Sequence, residues 1–240
     1  MIMISAYSLS LPPCIAFGAG CRHRLGEILR QHTGSTAPRV FAVCSGSLRR
    51  QGHLDDLAAR AGLSLCGVFD AVPHDPPLEC VEAIMEQLAL TSADAVVALG
   101  GGSVIDAAKT AAVLAPVADR VRPCFEGSAA IVRPGLPMVA LPSTAGTGAE
   151  VTPNAVLSDH LKGVKRSIRS PFMVPVAALV DPELTLSLPP EVTAHSGLDA
   201  LTQAIESAIS RQATSFSRPL ATAASAAVLA HLERAFRDGT

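Results

Sequence analysis

"DAVVALGGGSVIDAAK" (Asp94–Lys109) decides the fold. "DAVVALG" (94–100) is an apolar, β-branched run, the pattern of a strand buried on both faces. "SVIDAAKTAAVLA" (103–115) carries a helical period. Gly100, Gly101 and Gly102 join the two. Glycine admits unusual φ angles and lets a phosphate approach the backbone. The helix that follows offers free N–H groups and the positive end of its dipole. The join is therefore either a phosphate cradle or a tight strand-to-helix turn. It is not G-x-G-x-x-G, and no G-K-[ST] follows to make a P-loop.

The same alternation extends in both directions. "RVFAVCS" (39–45), "LPMVALPS" (136–143) and "AALVDP" (177–182) read as further buried strands, and "LECVEAIMEQLAL" (78–90) as an amphipathic helix. Strand, helix, strand, helix predicts an α/β fold: a Rossmann-like parallel sheet with helices on both faces. After Asp181 the strand signal stops. "DPELTLSLPPEVTAHSGLDALTQAIESAIS" carries a proline-marked turn and then a helical period, and "RPLATAASAAVLAHLERAFRD" (218–238) continues as a second helix. Two domains are expected: an α/β domain over 1–180, and over 181–240 the first helices of an incomplete all-α domain.

Bulk properties exclude some partners. A net charge of -2 and a charged fraction of 17% give no nucleic-acid or membrane-surface signature. The N-terminal "MIMISAYSLSLPP" is too short to span a bilayer and lacks a basic n-region, so neither anchor nor signal peptide is read there. Six cysteines without a CxxC spacing read as free thiols of a cytoplasmic protein. With no Trp and one Tyr, aromatic cages and base-stacking platforms are not expected.

The strand "RVFAVCS" bears on the choice of nucleotide. In dinucleotide folds an acidic residue after the second strand takes the adenosine ribose hydroxyls. Here Ser45 and Gly46 stand at that point, with Arg49 and Arg50 behind them. A missing acid beside arginines suits a 2′-phosphate. The alternative is a solvated basic helix start.

Three motifs together, "GGGSVIDAAK", "LPSTAGTGAEVT" and "ALVDPELTLSLPPEVTAHSGLDALTQAIES", resemble the iron-containing (group III) alcohol dehydrogenases. "PCIAFGAGCRHRLGEIL" is similar to that family's first strand and helix, and "FDAVPHDPP" to its inter-strand loop. The resemblance implies a dinucleotide-binding domain, NAD or NADP, and Fe²⁺ or Zn²⁺. It implies that Gly101, Gly102 and Ser103 hold the pyrophosphate. Asp106 would lie at the nicotinamide end, in the catalytic position. Ser143, Thr144, Thr147 and Gly148 would line the adenine and phosphate side. Lys165 would reach cofactor ribose, Leu184 would brush the adenosine part, and Ser45 would stand at the ribose. In such an enzyme the metal polarises the alcohol or aldehyde oxygen and hydride passes to or from nicotinamide.

The metal pattern departs from the family. The family places Asp, then three residues, then His on one helix, a spacing that puts both side chains on one face. Here Asp199 is followed by Gln203, whose neutral carbonyl is a poorer ligand than imidazole. The family's two further histidines lie beyond the end of this chain, so a four-ligand site is not expected from these residues. His195, Asp199 and Gln203 would form a stripe if one helix carried all three. Gly197 and the preceding turn predict instead a helix starting near Ser196, with Ser196 as N-cap and Asp199 as its partner in a capping box. Asp199 is then a cap, a ligand, or both.

Two functional classes stay open. One is a dehydrogenase of small alcohols or aldehydes, either metal-dependent or metal-independent in the manner of maleylacetate reductases. The other is a non-catalytic nucleotide-binding or assembly module. Glycerol dehydrogenases and dehydroquinate synthases share the broader architecture but fit "TAGTGAEVT" and "DPELTLSLPP" less well. The Ala-rich face of 218–236 calls for a partner helix. The chain is expected either to be part of a longer enzyme or to associate, with itself as a homo-oligomeric dimer or with another chain, to cover that face.

Overall fold

The computed structural model describes residues 6–117 and 120–239. The chain divides into two compact units. The larger comprises Leu11–Ser143 and Ala149–Leu184, and the smaller comprises Thr144–Gly148, the chain from Thr185 onward and the segment ending at Ser10.

The larger unit runs β1 (Cys14–Phe17), α1 (Leu25–Thr33), β2 (Arg39–Cys44), α2 (Gly46–Arg50), α3 (His53–Ala61), β3 (Ser64–Phe69) and α4 (Leu78–Ala89). It continues with β4 (Ala95–Gly100), α5 (Gly102–Leu114), α6 (Arg122–Glu126), β5 (Met138–Pro142), β6 (Asn154–Asp159), β7 (Val164–Arg169) and β8 (Ala177–Val180). Six strands form one sheet in the order β1-β8-β5-β4-β2-β3, and every pairing is parallel. Parallel strands need crossovers, and the helices between them cover both faces.

The two-residue period of the strands sorts the core into two layers. Val96 and Ala98 of β4 face a cluster with Leu78, Val81 and Ile84 of α4 and Val104, Ile105 and Ala108 of α5. Ala95, Val97 and Leu99 face the opposite cluster, with Leu25, Ile28 and Leu29 of α1 and Leu54 and Leu57 of α3. Every residue of β4 is buried, which is why its sequence is an unbroken apolar run. A Rossmann-like α/β sheet is therefore present as expected, with observed strand bounds one or two residues inside those read from sequence.

Several elements of this unit, namely α3, β3, α6 and the β6–β7 pair, have no counterpart in the sequence reading. β6 and β7 form a separate antiparallel hairpin, registered from Asn154 opposite Arg169 to Asp159 opposite Val164. Gly163 turns it at φ 61°. Ala155, Leu157 and Ile168 pack into the α4–α5 cluster, while Lys165, Arg166 and Arg169 are exposed.

The smaller unit contains α7 (Pro190–Ile209) and α8 (Ser217–Asp238). The expected start of α7 near Ser196 is corrected. The helix begins at Pro190, because proline at the first helical position loses no hydrogen bond and brings a suitable φ. Ser196 is no cap: its hydroxyl donates back to the Val192 carbonyl at 2.8 Å. Gly197 instead permits helix contact, since a Cβ there would sit 2.3 Å from Leu232 Cδ1 of α8. The N-terminus of α8 has a reciprocal cap. Ser217 N–H donates to Thr214 Oγ1 at 3.0 Å, and Thr214 N–H donates to Ser217 Oγ at 2.9 Å.

Candidate nucleotide-binding site

The carboxyl ends of β2, β4 and β5 are tied side by side. Ser45 N–H donates to Leu99 O at 2.9 Å, and Ser143 N–H donates to Gly100 O at 3.0 Å. Ser45, the Gly101–Ser103 turn and the buried Ser143 therefore lie along one edge of the sheet, the edge where open α/β sheets take ligands. Gly100 is required by packing: a Cβ there would lie 2.8 Å from Cβ of Val104. Gly101 is the N-cap of α5, in an extended conformation and with no side-chain cap. A helix start without such a cap leaves backbone N–H donors for an anion. This donor set fits a dinucleotide phosphate.

Side chains on α5 organise the rest of the edge. Ser103 Oγ accepts from the Asp75 N–H at 3.3 Å. Asp75 occupies φ 52°, rare for a non-glycine, and its Oδ1 accepts from Lys165 Nζ at 2.6 Å. That bond holds the Asp75 carboxyl below the ordinary range. Lys165, Asp75 and Ser103 thus form a chain that ends at the glycine turn. Asp106, one turn further along α5, accepts from the Val156 N–H at 2.9 Å through Oδ2. Burial pushes its carboxyl up, and Lys109, whose Nζ is 3.7 Å from Oδ1, pulls it back.

Two expected contacts have structural partners. Ser45 caps α2, its Oγ accepting from the Leu48 N–H at 3.4 Å, and Arg49 is committed to Asp55 at 2.7 Å. Leu184 is 3% exposed and packs in the α1–α3 core cluster. Asp181 explains why the DPEL turn needs its acid. It is buried and accepts from Arg22 Nη1 at 2.7 Å, from the Arg22 N–H at 3.3 Å and from the Glu183 N–H at 3.1 Å. Burial pushes its carboxyl up, but these bonds outweigh it and hold the group below its ordinary value.

Sequence reasoning passes over Asp75 and Lys109. The signal for Lys109 is one charge inside an otherwise apolar helical run. Its Nζ donates to Asn154 O at 2.6 Å, Thr152 O at 3.0 Å and Thr152 Oγ1 at 3.2 Å. Burial pushes its ammonium down to about 8, against the pull of Asp106 and Glu150.

The smaller unit holds Thr144, Thr147 and Gly148, in the loop that contains Gly146. A Cβ on Gly146 would lie 3.0 Å from Ser196 Cβ of α7, so the TAGTG glycine is where this loop meets the helix backbone. Gly148 adopts φ 64°. His195, Asp199 and Gln203 all lie exposed on the single helix α7 at four-residue steps, so the stripe exists. Gln203 Nε2 donates to Asp199 Oδ2 at 2.7 Å. Among the described residues no three His, Cys, Asp or Glu side chains cluster as a metal site would require. One carboxylate and one amide do not complete a site for Fe²⁺ or Zn²⁺.

A parallel, doubly wound sheet with a glycine-rich, uncapped helix start at its carboxyl edge defines a Rossmann-like protein. Residues 12–182 match the family described as "Iron-containing alcohol dehydrogenase", and the chain belongs to that family. It is 35% identical over 235 residues to the "Probable alcohol dehydrogenase EutG" of Salmonella typhimurium, covering 97% of this chain and 58% of the relative. It is 31% identical to the "NADPH-dependent butanol dehydrogenase" of Clostridium saccharobutylicum, covering 95% and 58%. The crystal structure of a sulfoacetaldehyde reductase from Bifidobacterium kashiwanohense in complex with NAD⁺ superposes with a TM-score of 0.92 at 32% identity, covering 98% of this chain and 61% of that one. The chain thus spans about three fifths of the length of these relatives.

Proposed function

We propose that this chain binds NAD or NADP and serves an enzyme passing hydride between nicotinamide and a small alcohol or aldehyde. The observation that carries this reading is the uncapped start of α5 beside Ser45 and Ser143 at the carboxyl edge of the sheet. The first-turn N–H groups and Ser103 would take the pyrophosphate. Asp106 would orient the nicotinamide carboxamide, and Lys165 would bond ribose. When bound, nicotinamide supplies the hydride chemistry. The protein's part is to hold the ring and exclude water. Thr144, Thr147 and Gly148 would contact the adenine and phosphate side, and Leu184 would act by packing. Asp199 and Gln203 remain proposed as metal-facing residues, and no step is derived through a metal.

A second reading, a nucleotide-binding module without turnover, is favoured by the Asp199–Gln203 hydrogen bond, which ties the two oxygen-bearing groups to each other. A metal-independent reductase is the variant of the first reading that Gln203 favours. The protein is proposed to be cytoplasmic and homodimeric. Among the described residues no helix is long and apolar enough to cross a membrane.

Reduction of short aldehydes by NADH and NADPH, with and without added Fe²⁺ or Zn²⁺, separates these readings. Turnover that a chelator abolishes supports a metal enzyme. Turnover that a chelator leaves unchanged supports the metal-independent one. Cofactor binding with no turnover under any condition supports the module. Absence of cofactor binding contradicts all three.

A further inference from the structure

Lys109 is the feature that the cofactor reading does not use. It is 2% exposed and sits in the stretch Ala107–Leu114, every residue of which is buried. A charge in such a place is costly unless it is paired and hydrogen-bonded. Its three N–H groups have three oxygen acceptors within 3.2 Å, two on Thr152 and one on Asn154. Those acceptors lie in the stretch that leads from Glu150 into β6. Its fourth neighbour is Asp106, one helical turn earlier, at 3.7 Å. Asp106 is itself fixed to β6 through the Val156 N–H, yet keeps 13% of its side chain exposed. Glu150, half-buried, adds a second carboxyl whose field reaches the ammonium. A filler for this core position would be apolar, and a donor for two carbonyls could be neutral. A cation beside Asp106 favours its ionised form, against the burial that pushes its carboxyl up. The ionised carboxylate presents acceptors alone to a carboxamide NH₂, whereas the protonated form turns one oxygen into a donor.

We propose that Lys109 is a positioning residue for the nicotinamide end of the cofactor. It acts through Asp106, keeping that carboxylate ionised and aimed, while clamping Thr152 and Asn154 against α5. The proposal rests on the cofactor reading above, with Asp106 at the nicotinamide end. It predicts a split between two ligands that share the adenosine diphosphate moiety, because ADP-ribose lacks the nicotinamide.

The test measures NADH by its own fluorescence and ADP-ribose by competition, on wild type and Lys109→Met, with melting temperature as a fold control. NADH affinity is expected to fall roughly tenfold, the scale of one charge-assisted hydrogen bond, while ADP-ribose affinity changes less than about threefold. In an Asp106→Asn background the same substitution is expected to cost less than about threefold for either ligand. Equal losses for both ligands, or a full tenfold loss in the Asp106→Asn background, overturn the proposal. If Lys109→Met does not fold, Lys109→Gln, which keeps an N–H donor and drops the charge, is read the same way. If neither folds, Lys109 is a folding residue and the proposal is wrong. Failure of the wild type to bind NADH or NADPH contradicts the cofactor reading instead, so the two failures are distinguishable.

Discussion

Asp181 shows how one buried acid carries a motif. Its side chain is fully buried, and Arg22 supplies both a guanidinium and a backbone N–H to it. Arg22→Met removes the guanidinium and leaves the carboxylate, and the expected loss is about 3 kcal/mol at pH 7, seen by denaturant unfolding. The carboxyl titrates below its ordinary value, so its stabilisation is present above the unfolded-state value of about 3.9 and is lost as pH falls through the folded value. The gap between wild type and Arg22→Met should therefore close as pH drops below about 4. A gap that stays constant to low pH contradicts the assignment. Ser45→Asp tests the second strand end: it should shift preference toward NADH, measured as the ratio of the two dissociation constants. An unchanged ratio would mean that position 45 does not meet the ribose. What sequence reveals at this scale is residue type, not destination. Ser45, Ser103 and Asp106 stand out in the sequence because glycines and a helix start surround them. Lys109 does not, because an apolar period around a lysine does not tell where its ammonium goes.

At the scale of elements, glycines mark close contacts that patterning cannot see. A Cβ on Gly135 would meet the Ala112 carbonyl at 2.2 Å and Val113 Cα at 2.4 Å, both backbone of α5. Backbone cannot move aside as a side chain can, so Gly135→Ala should cost more than about 3 kcal/mol. For Gly197→Ala the nearest atoms belong to the Leu232 side chain rather than to backbone. It should cost about 1–3 kcal/mol and be largely relieved by Leu232→Ala, a coupling that a double-mutant cycle of unfolding free energies reads directly. The buried strands and the helices between them are legible because burial on both faces forces a continuous apolar run. The β6–β7 hairpin is not, because it is half-exposed and its outward Lys165, Arg166 and Arg169 dilute the apolar signal. The start of α7 is misplaced by sequence because Pro189 and Pro190 look like a turn, although the second is well suited to a first helical position.

At the scale of the whole molecule, each unit leaves apolar surface uncovered. In the larger unit β1 is an edge strand that among the described residues pairs only with β8, and Phe17 on it is 79% exposed. In the smaller unit Ile209 and Leu229 are 76% and 71% exposed. Exposed edges and apolar side chains favour association. Sedimentation should show a concentration-dependent dimer, which Phe17→Glu weakens if β1 lies in the interface. Family and parallel fold are both readable because three distinct motifs follow strands β4, β5 and β8 in the chain. The metal centre is not, since its proposed residues reduce to Asp199 and Gln203, bonded to one another. NADH and NADPH fluorescence titration of wild type and Gly102→Val, with melting temperatures as a control, decides whether the start of α5 binds a dinucleotide phosphate. Saturable binding by wild type, lost in the valine variant at an unchanged melting temperature, is the predicted result. Equal binding by both proteins, or none by wild type, would contradict it.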